Sequence, residues 1–320
     1  LIKRKRIAID IGTHTIKLVI GSQRKQELMI HHAYTYPTPF ESYHDGYIQN
    51  MESLQQAVQH LLWENDIRIR KVMFTMQTSS AMIREIVLPY TKHEKELQAM
   101  LSFEIEQQLP INLESHVMEY KILEEFIDNG IKKIKILIAV LPKKIVEEYI
   151  RLTKFLDLKP VMLNIHSDAI SNFFAKERYI NDHLYSPYQT VSLISFGHEQ
   201  IHITILEKGL LKLQWLIPRG GKEIVPYICN PSKKEQPTDF SVPYINTISD
   251  FSFMMEPIQS VINQWIQEIQ LVFQYYLSRT EKNRFDAIYI YGGSSNLSGL
   301  ARSIEKQLNI PTFQIKKIDG

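Results

Sequence analysis

The chain has 320 residues, of which 44% are hydrophobic and 10% aromatic, so it can build substantial cores and is not a disordered polypeptide. Its 37 basic and 35 acidic residues leave a net charge of +2, which argues against nucleic acid as the main ligand. The longest apolar run, Ile136–Leu141, is too short to cross a bilayer. No signal peptide is recognised and the single cysteine, Cys229, allows no internal disulfide, so we expect a cytoplasmic protein.

Hydrophobic periodicity predicts strands and helices in alternation along the chain. The first half is predicted to contain strands on both sides of a turn at Gly12 (7–20), a strand at 28–34, a helix at 51–62, a strand at 71–75, a helix at 94–109, strands at 117–126 and 132–140, a helix at 143–156 and a strand at 160–165. The second half is predicted to contain strands around Gly197, a loop at 230–250, a helix at 255–276, a strand at 287–291 and a helix at 297–308.

The pattern that opens the chain returns after residue 190. A shift of 185 positions aligns Ile9–Gly12 with Ile194–Gly197, and it pairs the alternating Ile16, Leu18 and Ile20 with isoleucines at 201, 203 and 205. A matching strand–turn–strand unit at the start of each half predicts a duplicated α/β protein with a cleft between two lobes. We divide the chain into a first lobe (1–83, returning at 157–188), an inserted subdomain (84–156) and a second lobe (189–320).

Seven of only 12 glycines fall in four short turn-like segments. The first segment contains Asp10, Gly12, Thr13, His14 and Lys17. A glycine turn exposes successive backbone N–H groups that can bind an anion, and the hydroxyl and ammonium groups can add phosphate contacts. The carboxylate can hold a hydrated Mg²⁺. The same residues also fit a plain β-hairpin with a solvated lysine.

The second and third glycine segments can contribute to the same ligand. Gly197 and His198 form a second hairpin turn, which can hold phosphates from the opposite side. Gly220–Gly221 precede a predicted helix, and Lys222 and Glu223 beside them can reach ribose hydroxyls.

The fourth segment, Gly292–Gly293 with Ser294, follows a strand that is predicted to be buried. The missing side chains let a base or a ribose lie against the backbone. Any one of the four segments fits a simple tight turn, but all four in this order predict a nucleotide site in the cleft.

The order of these segments resembles the actin-like ATPase superfamily, and the chain resembles the PilM family of type IV pilus assembly proteins over nearly its whole length. The most similar stretches are Ile9–Leu18, Glu94–Leu113, Ile136–Ile165, Ile217–Ile224 and Ile290–Ile310. Two are the most specific: Phe103–Pro110 (FEIEQQLP), a helix ending before proline, and Ile138–Lys144 (IAVLPKK), a strand-to-helix crossover. Division protein FtsA and the cytoplasmic domains of secretion proteins are similar in fold.

This resemblance implies an actin-like (ribonuclease H-like) fold with an extra subdomain in the first lobe, and ATP with Mg²⁺ in the cleft. It also implies a cytosolic scaffold that is peripheral to the inner face of the membrane. The implied partner is the N-terminal cytosolic tail of a bitopic inner-membrane protein similar to PilN. The assembly ATPase and the platform protein are further expected partners, whereas nucleic acid and a membrane span are not expected.

One position departs from the family pattern. Where the family usually has an acidic residue in the second hairpin, this chain has Ser195, the counterpart of Asp10. A serine cannot supply the negative charge that holds Mg²⁺ in phosphoryl transfer. We therefore expect nucleotide binding with weak or absent hydrolysis.

The inserted subdomain is the expected partner site. A seam between it and the first lobe can accept an extended peptide. Leu88, Tyr90 and Phe103 are expected to be exposed along this seam, whereas Leu97 and Leu101 fit either the peptide pocket or an ordinary core.

Four other interpretations of the sequence are less favoured. An active actin-like kinase would need a catalytic acid that cannot be placed, and an FtsA-like filament protein would need a membrane-binding helix. His198 and His202 have metal-ligand spacing but fall on a predicted strand without further ligands. The basic cluster at 3–6 could contact anionic lipid, but four charges without an apolar helix bind weakly, so a solvated lead-in to the first strand is favoured.

Overall fold

The computed structural model describes residues 5–24, 27–108, 111–228, 256–280 and 284–319. The predicted loop at 230–250 and Cys229 lie outside the described residues.

Strands and helices alternate through both halves of the chain. The first half contains β1 (Arg6–Ile11), β2 (Thr15–Arg24), β3 (Glu27–Pro37), β4 (Tyr43–His44), β5 (Tyr47–Ile48), α1 (Met51–Glu64), β6 (Lys71–Met76), β7 (Met82–Pro89), α2 (Glu94–Gln108), β8 (His116–Asp128), β9 (Ile131–Pro142), α3 (Lys143–Phe155), β10 (Lys159–Ile165) and α4 (His166–Phe174). The second half contains β11 (Arg178–Ile180), β12 (His183–Tyr185), β13 (Thr190–Phe196), β14 (Ile201–Glu207), β15 (Leu210–Ile217), α5 (Val225–Ile228), α6 (Glu256–Leu277), β16 (Ala287–Tyr291), α7 (Leu300–Leu308), β17 (Thr312–Gln314) and β18 (Ile318–Asp319).

The two lobes contain five-stranded sheets with the same topology. In the first lobe the order is β10-β6-β1-β2-β3, and in the second it is β17-β16-β13-β14-β15. In each sheet the first three of these strands are parallel, and the last three form an antiparallel meander. The pairing of Ile9 with Leu18 recurs 185 residues later as Ile194 with Ile203. The predicted duplication is therefore confirmed at the level of strand register.

Each lobe has its own core, as expected for strands whose buried positions alternate. In the first lobe, alternate residues of β1, β2 and β6 pack against α1 and α3. The N-cap of α1 is Asn50, whose side chain accepts a hydrogen bond from the backbone N–H of Ser53. In the second lobe, α6 and α7 pack on β13, β14 and β16 around the fully buried Trp265.

The inserted subdomain differs from the prediction in two ways. Its sheet has three strands in the order β7-β9-β8 rather than two, because Met82–Pro89 also pairs with β9. Helix α2 covers one face of this sheet through Leu97, Leu101 and Ile105. The third strand was missed because Arg84 and Glu85 interrupt the apolar alternation.

Helix α3, which the sequence placed inside the insertion, packs with the first lobe. Ile145, Tyr149 and Leu152 are buried in the first-lobe core. The hydroxyl of Tyr149 is hydrogen-bonded to that of Tyr43 at 2.9 Å. We therefore place the insertion at 82–142, and the division of the chain into four segments remains our proposal.

Candidate functional site

A cavity of about 450 Å³ lies between the two lobes, a size typical of small-molecule sites. It lies where β1, β13 and β16 end, and Ile11, Ser195 and Tyr291 from these strands line it. Because the carboxyl ends of parallel strands in each lobe meet here, the turns that follow them also face the cavity.

The first hairpin turn forms one wall. Gly12 donates its backbone N–H to the carbonyl of Thr15 at 3.0 Å. Thr38 holds the turn from the side, because its hydroxyl donates to the carbonyl of Gly12 at 2.7 Å and its N–H donates to that of His14 at 3.0 Å. The turn is thus fixed before any ligand binds. Of the predicted phosphate contacts, Gly12, Thr13, His14 and Lys17 all line the cavity.

Asp10 is the cavity carboxylate that lies beside the first hairpin turn. Its carboxylate forms an ion pair with the ammonium of Lys17 at 3.0 Å and accepts a hydrogen bond from the hydroxyl of Thr75 at 3.4 Å. Lys17 lies opposite Asp10 in the β1–β2 register, and Thr75 lies beside it on β6. Three neighbouring strands therefore bring together a carboxylate, an ammonium and a hydroxyl.

The equivalent positions of the second lobe have no formal charge. Ser195 replaces Asp10, His202 replaces Lys17 in the same register, and Tyr291 replaces Thr75 on the neighbouring parallel strand. The side chains of Tyr291 and Ser195 are hydrogen-bonded, and the Tyr291 hydroxyl also lies 2.7 Å from Nε2 of His166.

The second hairpin turn packs against two other glycine segments. The carbonyl of Gly197 accepts hydrogen bonds from the N–H of Gly221 at 3.0 Å and from the hydroxyl of Ser294 at 3.1 Å. A Cβ on Gly220 would lie 2.5 Å from the carbonyl oxygen of His198. A Cβ on Gly292, whose φ is +91°, would lie 2.6 Å from the carbonyl oxygen of Phe196. These two glycines are required because the chain segments touch through their backbones.

Gly293 is different, since a Cβ there would meet no atom within 4 Å. It lines the cavity beside Ser294 and Asn296 at the start of a 3₁₀ turn. Apolar side chains complete this end of the cavity, namely those of Ile224, Val225 and Leu297. The second-lobe end of the cavity therefore combines open backbone with an apolar wall, which suits a flat ring.

Three of the predicted nucleoside contacts do not line the cavity: Gly220, Lys222 and Glu223. Glu223 accepts a hydrogen bond from the indole N–H of Trp265 at 3.0 Å and pairs with Arg219 at 3.4 Å, so it stabilises the second lobe. Lys222 pairs with Glu199 at 3.5 Å. In this structure neither side chain is directed to a ligand in the cavity.

Several cavity residues were missed from the sequence. His166 and Asp45 line the cavity but belong to no glycine segment. Tyr291 and Gln200 lie at the ends of two glycine segments and also line it, although neither was predicted as a ligand contact. His166 follows β10, so its place at the carboxyl end of a parallel strand was the available signal. The amide of Gln200 donates to the carboxylate of Asp45 at 3.3 Å, which joins the two lobes.

The predicted peptide contacts are mostly interior. Leu88, Leu97 and Leu101 are buried in the core of the insertion, which corrects the expectation that Leu88 is exposed. Lys132 covers the ring of Tyr90, with its ammonium 3.6 Å from the ring centroid. Phe103 is 61% exposed, because it lies on the side of α2 opposite to the sheet.

Histidines from both lobes meet in the cavity. The rings of His14 and His198 stack with their centroids 4.7 Å apart. Burial, together with the neighbouring His14, lowers the pKa of His198 to about 4. Burial and the nearby His166 lower the pKa of His202 to about 3, and burial also lowers the pKa of His166. The imidazoles of His166, His198 and His202 are thus neutral at neutral pH.

A protein-family model described as "Type IV pilus assembly protein PilM" matches residues 8–319. The chain belongs to the PilM family. It is an actin-like type IV pilus assembly protein, as the resemblance in sequence had indicated. In the part of the chain that the structure describes, no helix is both long enough and apolar enough to span a membrane.

Solved structures share the actin-like fold of this PilM-family chain. A PilM–PilN type IV pilus biogenesis complex matches with a TM-score of 0.78 and 18% identity, covering 97% of this chain and 88% of the other. The ethanolamine utilization protein EutJ from Carboxydothermus hydrogenoformans matches with a TM-score of 0.53 and 13% identity, covering 98% and 86%. MreB 5 of Spiroplasma citri bound to AMPPNP matches with a TM-score of 0.50 and 13% identity, covering 98% and 92%.

The neutral histidines predict acid sensitivity. The unfolded chain protonates them below about pH 6.5, whereas the folded chain does not until lower pH, so the free energy of unfolding must fall as the pH drops. For His202 this loss runs from about 6.5 down to a folded pKa of about 3, at roughly 1.4 kcal/mol per pH unit. We expect His202→Gln to flatten the pH dependence by about that slope, measured by urea unfolding between about pH 6.5 and 4.5.

The matched control is His93→Gln, at an exposed position before α2. If both variants lose stability with pH as steeply as the parent, the buried imidazole of His202 is not the cause.

Proposed function

We propose that this PilM-family chain is a cytoplasmic, ATP-binding scaffold of the type IV pilus assembly machine, with weak or absent hydrolysis. The observation that carries the nucleotide part is that residues from all four glycine segments line one cavity. The wall at the first hairpin offers backbone N–H groups and Lys17, and the opposite end offers Gly293 beside an apolar wall. A phosphate chain at the first end and a base at the second would match these surfaces.

The related structure of MreB 5, with 13% identity, contains AMPPNP, and its shared fold supports the same ligand class here. The residues present fit ATP, since the space over Gly293 is open and the hairpin turns are held in place by Thr38 and Ser294. Mg²⁺ would be held at Asp10, whose single carboxylate is sufficient when the phosphates and water supply the other ligands. Bound Mg²⁺ would neutralise phosphate charge.

We propose that hydrolysis is weak because the second lobe has no acid at the position equivalent to Asp10. Glu199 also lines the cavity, but it is already engaged by Lys222 and His44. At the position equivalent to Asp10, Ser195 is buried and hydrogen-bonded to Tyr291. His202 beside it stays neutral. No carboxylate therefore occupies the second-lobe position from which attacking water would be oriented.

The proposed partner is the N-terminal cytosolic tail of an inner-membrane protein similar to PilN, and through it the chain would lie at the inner face of the membrane. The structural match to a PilM–PilN complex supports this. Strand β8 is the edge of the insertion sheet and β10 is the edge of the first-lobe sheet. Lys121 of β8 reaches Asn172 of α4, the helix that directly follows β10, at 2.8 Å, so the insertion touches the first lobe beyond the end of β10.

We propose that the tail lies extended in the seam between the insertion and the first lobe. Edge strands carry free backbone N–H and C=O groups that an added strand can pair with. Both edges also present apolar side chains to solvent, among them Ile122 on β8 and Val161 and Met162 on β10. The exposed Phe103 of α2 lies outside this seam and is the second candidate contact. The assembly ATPase and the platform protein remain proposed further partners.

The nucleotide proposal is tested by filling the open space over Gly293. We expect Gly293→Val to weaken ATP binding at least tenfold without lowering the melting temperature, because the new side chain meets only the cavity. Lys17→Ala should also weaken binding roughly tenfold or more, since a charge-assisted phosphate contact contributes about 1.5–3 kcal/mol. Calorimetric titration with ATP measures both.

Gly292→Ala is the matched control for backbone effects, because its positive φ and the nearby carbonyl of Phe196 predict a loss of stability instead. ATP affinities that are equal in the parent, Gly293→Val and Lys17→Ala would refute a nucleotide site in this cavity.

The hydrolysis proposal is tested by restoring the acid. We expect the parent to release phosphate far more slowly than ordinary enzymes, which turn over at about 1–10³ per second. Ser195→Asp should raise the Mg²⁺ dependence of ATP binding or the rate of hydrolysis, whereas the neutral Ser195→Asn should not. A parent that already hydrolyses ATP at ordinary enzyme rates contradicts the proposal.

The partner proposal is tested with the synthetic N-terminal peptide of the PilN-like protein. We expect the peptide to slow amide hydrogen exchange in 116–126 and 159–165, and Met162→Asp to abolish binding. Ile127→Asp, at the exposed tip of the insertion hairpin, is the matched control. If only Phe103→Asp abolishes binding, the peptide site is on α2 instead. If the peptide slows amide exchange only within 190–319, the insertion is not part of the site.

A further inference from the structure

The parallel strands of the first lobe begin at the end of the sheet that lies farthest from the cavity, and the first residue of each strand is a cation. These residues are Arg6 of β1, Lys71 of β6 and Lys159 of β10. All three are exposed. Because parallel strands start at the same edge, the topology gathers cations from three distant parts of the chain.

The strand register places these cations in one row. Lys71 and Lys159 are direct partners on neighbouring strands. The pairing of Ile7 with Val72 places Arg6 next to Lys71 on the other side. Like charges on directly neighbouring strands destabilise a sheet. Within the described ranges no carboxylate lies within ion-pair distance of any of the three, so the row has no internal counterion there.

Exposed aromatic side chains flank this row. An open hollow of about 300 Å³ is lined by Trp63, Arg70 and Leu156, among others. The carbonyl of Arg70 accepts a hydrogen bond from the N–H of Lys159 at 2.7 Å, which joins the hollow to the row. Trp63 is 77% exposed, and Phe155, next to Leu156, is 51% exposed.

We call Arg6, Trp63, Arg70, Lys71, Phe155 and Lys159 the basal face. Lys5, Arg68 and Lys154 are further exposed cations at its margin. Asp66 pairs with Arg68 at 2.9 Å and Asp157 pairs with Arg70 at 2.8 Å, so these two arginines add no net charge. The excess positive charge of the face therefore comes from Arg6, Lys71 and Lys159, with Lys5 and Lys154 at the margin.

We propose that the basal face docks directly on an anionic phospholipid surface. Lipid phosphates would supply the counterions that the row of cations lacks. Trp63 and Phe155 would enter the interfacial layer, where aromatic side chains are favoured. The basic segment at residues 3–6 is too short to bind lipid alone, but the fold adds cations from β6 and β10 and the aromatic groups that the segment lacks.

This orientation leaves the cavity accessible. Strand β6 runs from Lys71 at the basal face to Met76 near the cavity, and six residues of strand span about 20 Å. If the basal face contacts the lipid surface, the cavity therefore lies at the opposite end of the strands, away from the lipid. The proposal does not depend on nucleotide binding or on the PilN-like tail, although a tethered partner would raise the effective concentration of the chain at the membrane.

The first experiment measures binding of the purified chain to vesicles by co-sedimentation. The vesicles are phosphatidylcholine with phosphatidylglycerol, or phosphatidylcholine alone. We expect binding to the anionic vesicles only, weakened by salt. Each cation near an anionic surface contributes roughly fivefold to affinity, so the triple neutralisation Arg6→Gln, Lys71→Gln and Lys159→Gln should reduce binding at least tenfold. The charge-matched control is Lys92→Gln, Lys95→Gln and Lys306→Gln, at exposed positions elsewhere.

Equal loss of binding in the two triple variants would show a diffuse charge effect and overturn the assignment, as would an absence of parent binding.

The second experiment replaces an aromatic group. Trp63→Ser should weaken vesicle binding and remove the blue shift of tryptophan emission that anionic vesicles cause in the parent. Unchanged vesicle binding in Trp63→Ser, together with binding of a short DNA duplex through the cation row, would show a general polyanion site and also overturn the lipid assignment.

Discussion

The carbonyl oxygen of Gly197 is the point on which the second-lobe wall of the cavity depends. It accepts hydrogen bonds from the backbone of Gly221 and the side chain of Ser294, so three segments far apart in sequence meet at one atom. The backbones of these segments lie so close together that a Cβ atom at position 220 or 292 would collide with a carbonyl oxygen, which explains the glycines there. A scarcity of glycine elsewhere in the chain is consistent with this concentrated use.

The two lobes have the same backbone framework, but the first has a charged pair of residues where the second has a neutral pair. Asp10 and Lys17 form an ion pair in the first lobe, and Ser195 and His202 occupy the same register in the second. The two changes are coupled in physical terms, because a buried lysine without its carboxylate would carry a large desolvation penalty. A neutral histidine beside a serine avoids that penalty. At this pair of positions the second lobe therefore lacks the acid and the base together rather than one of them.

Much of the fold was predictable because the strand pattern is local and repeats. The 185-residue shift predicted the duplicated hairpin correctly, and it followed from alternating aliphatic residues around a matching glycine. Features that depend on tertiary packing were not predictable. Arg84 and Glu85 hid strand β7, the apolar face of α3 did not reveal which lobe it covers, and the direction of Glu223 toward Trp265 has no local signal. His166 was missed because its role depends on where β10 ends in space.

The first-lobe sheet relates the proposed sites to one another. Its parallel strands begin at the basal face and end at the cavity, and β10 forms one edge of the sheet. A tail bound at that edge would run between the cavity and the basal face, because β10 itself does. The transmembrane segment of a bitopic partner would then need to leave the seam toward the lipid, and the basal end of β10 is where the cations and Trp63 would meet that surface. The same sheet would thus orient the chain, with its cavity toward the cytosol and its cationic edge toward the membrane.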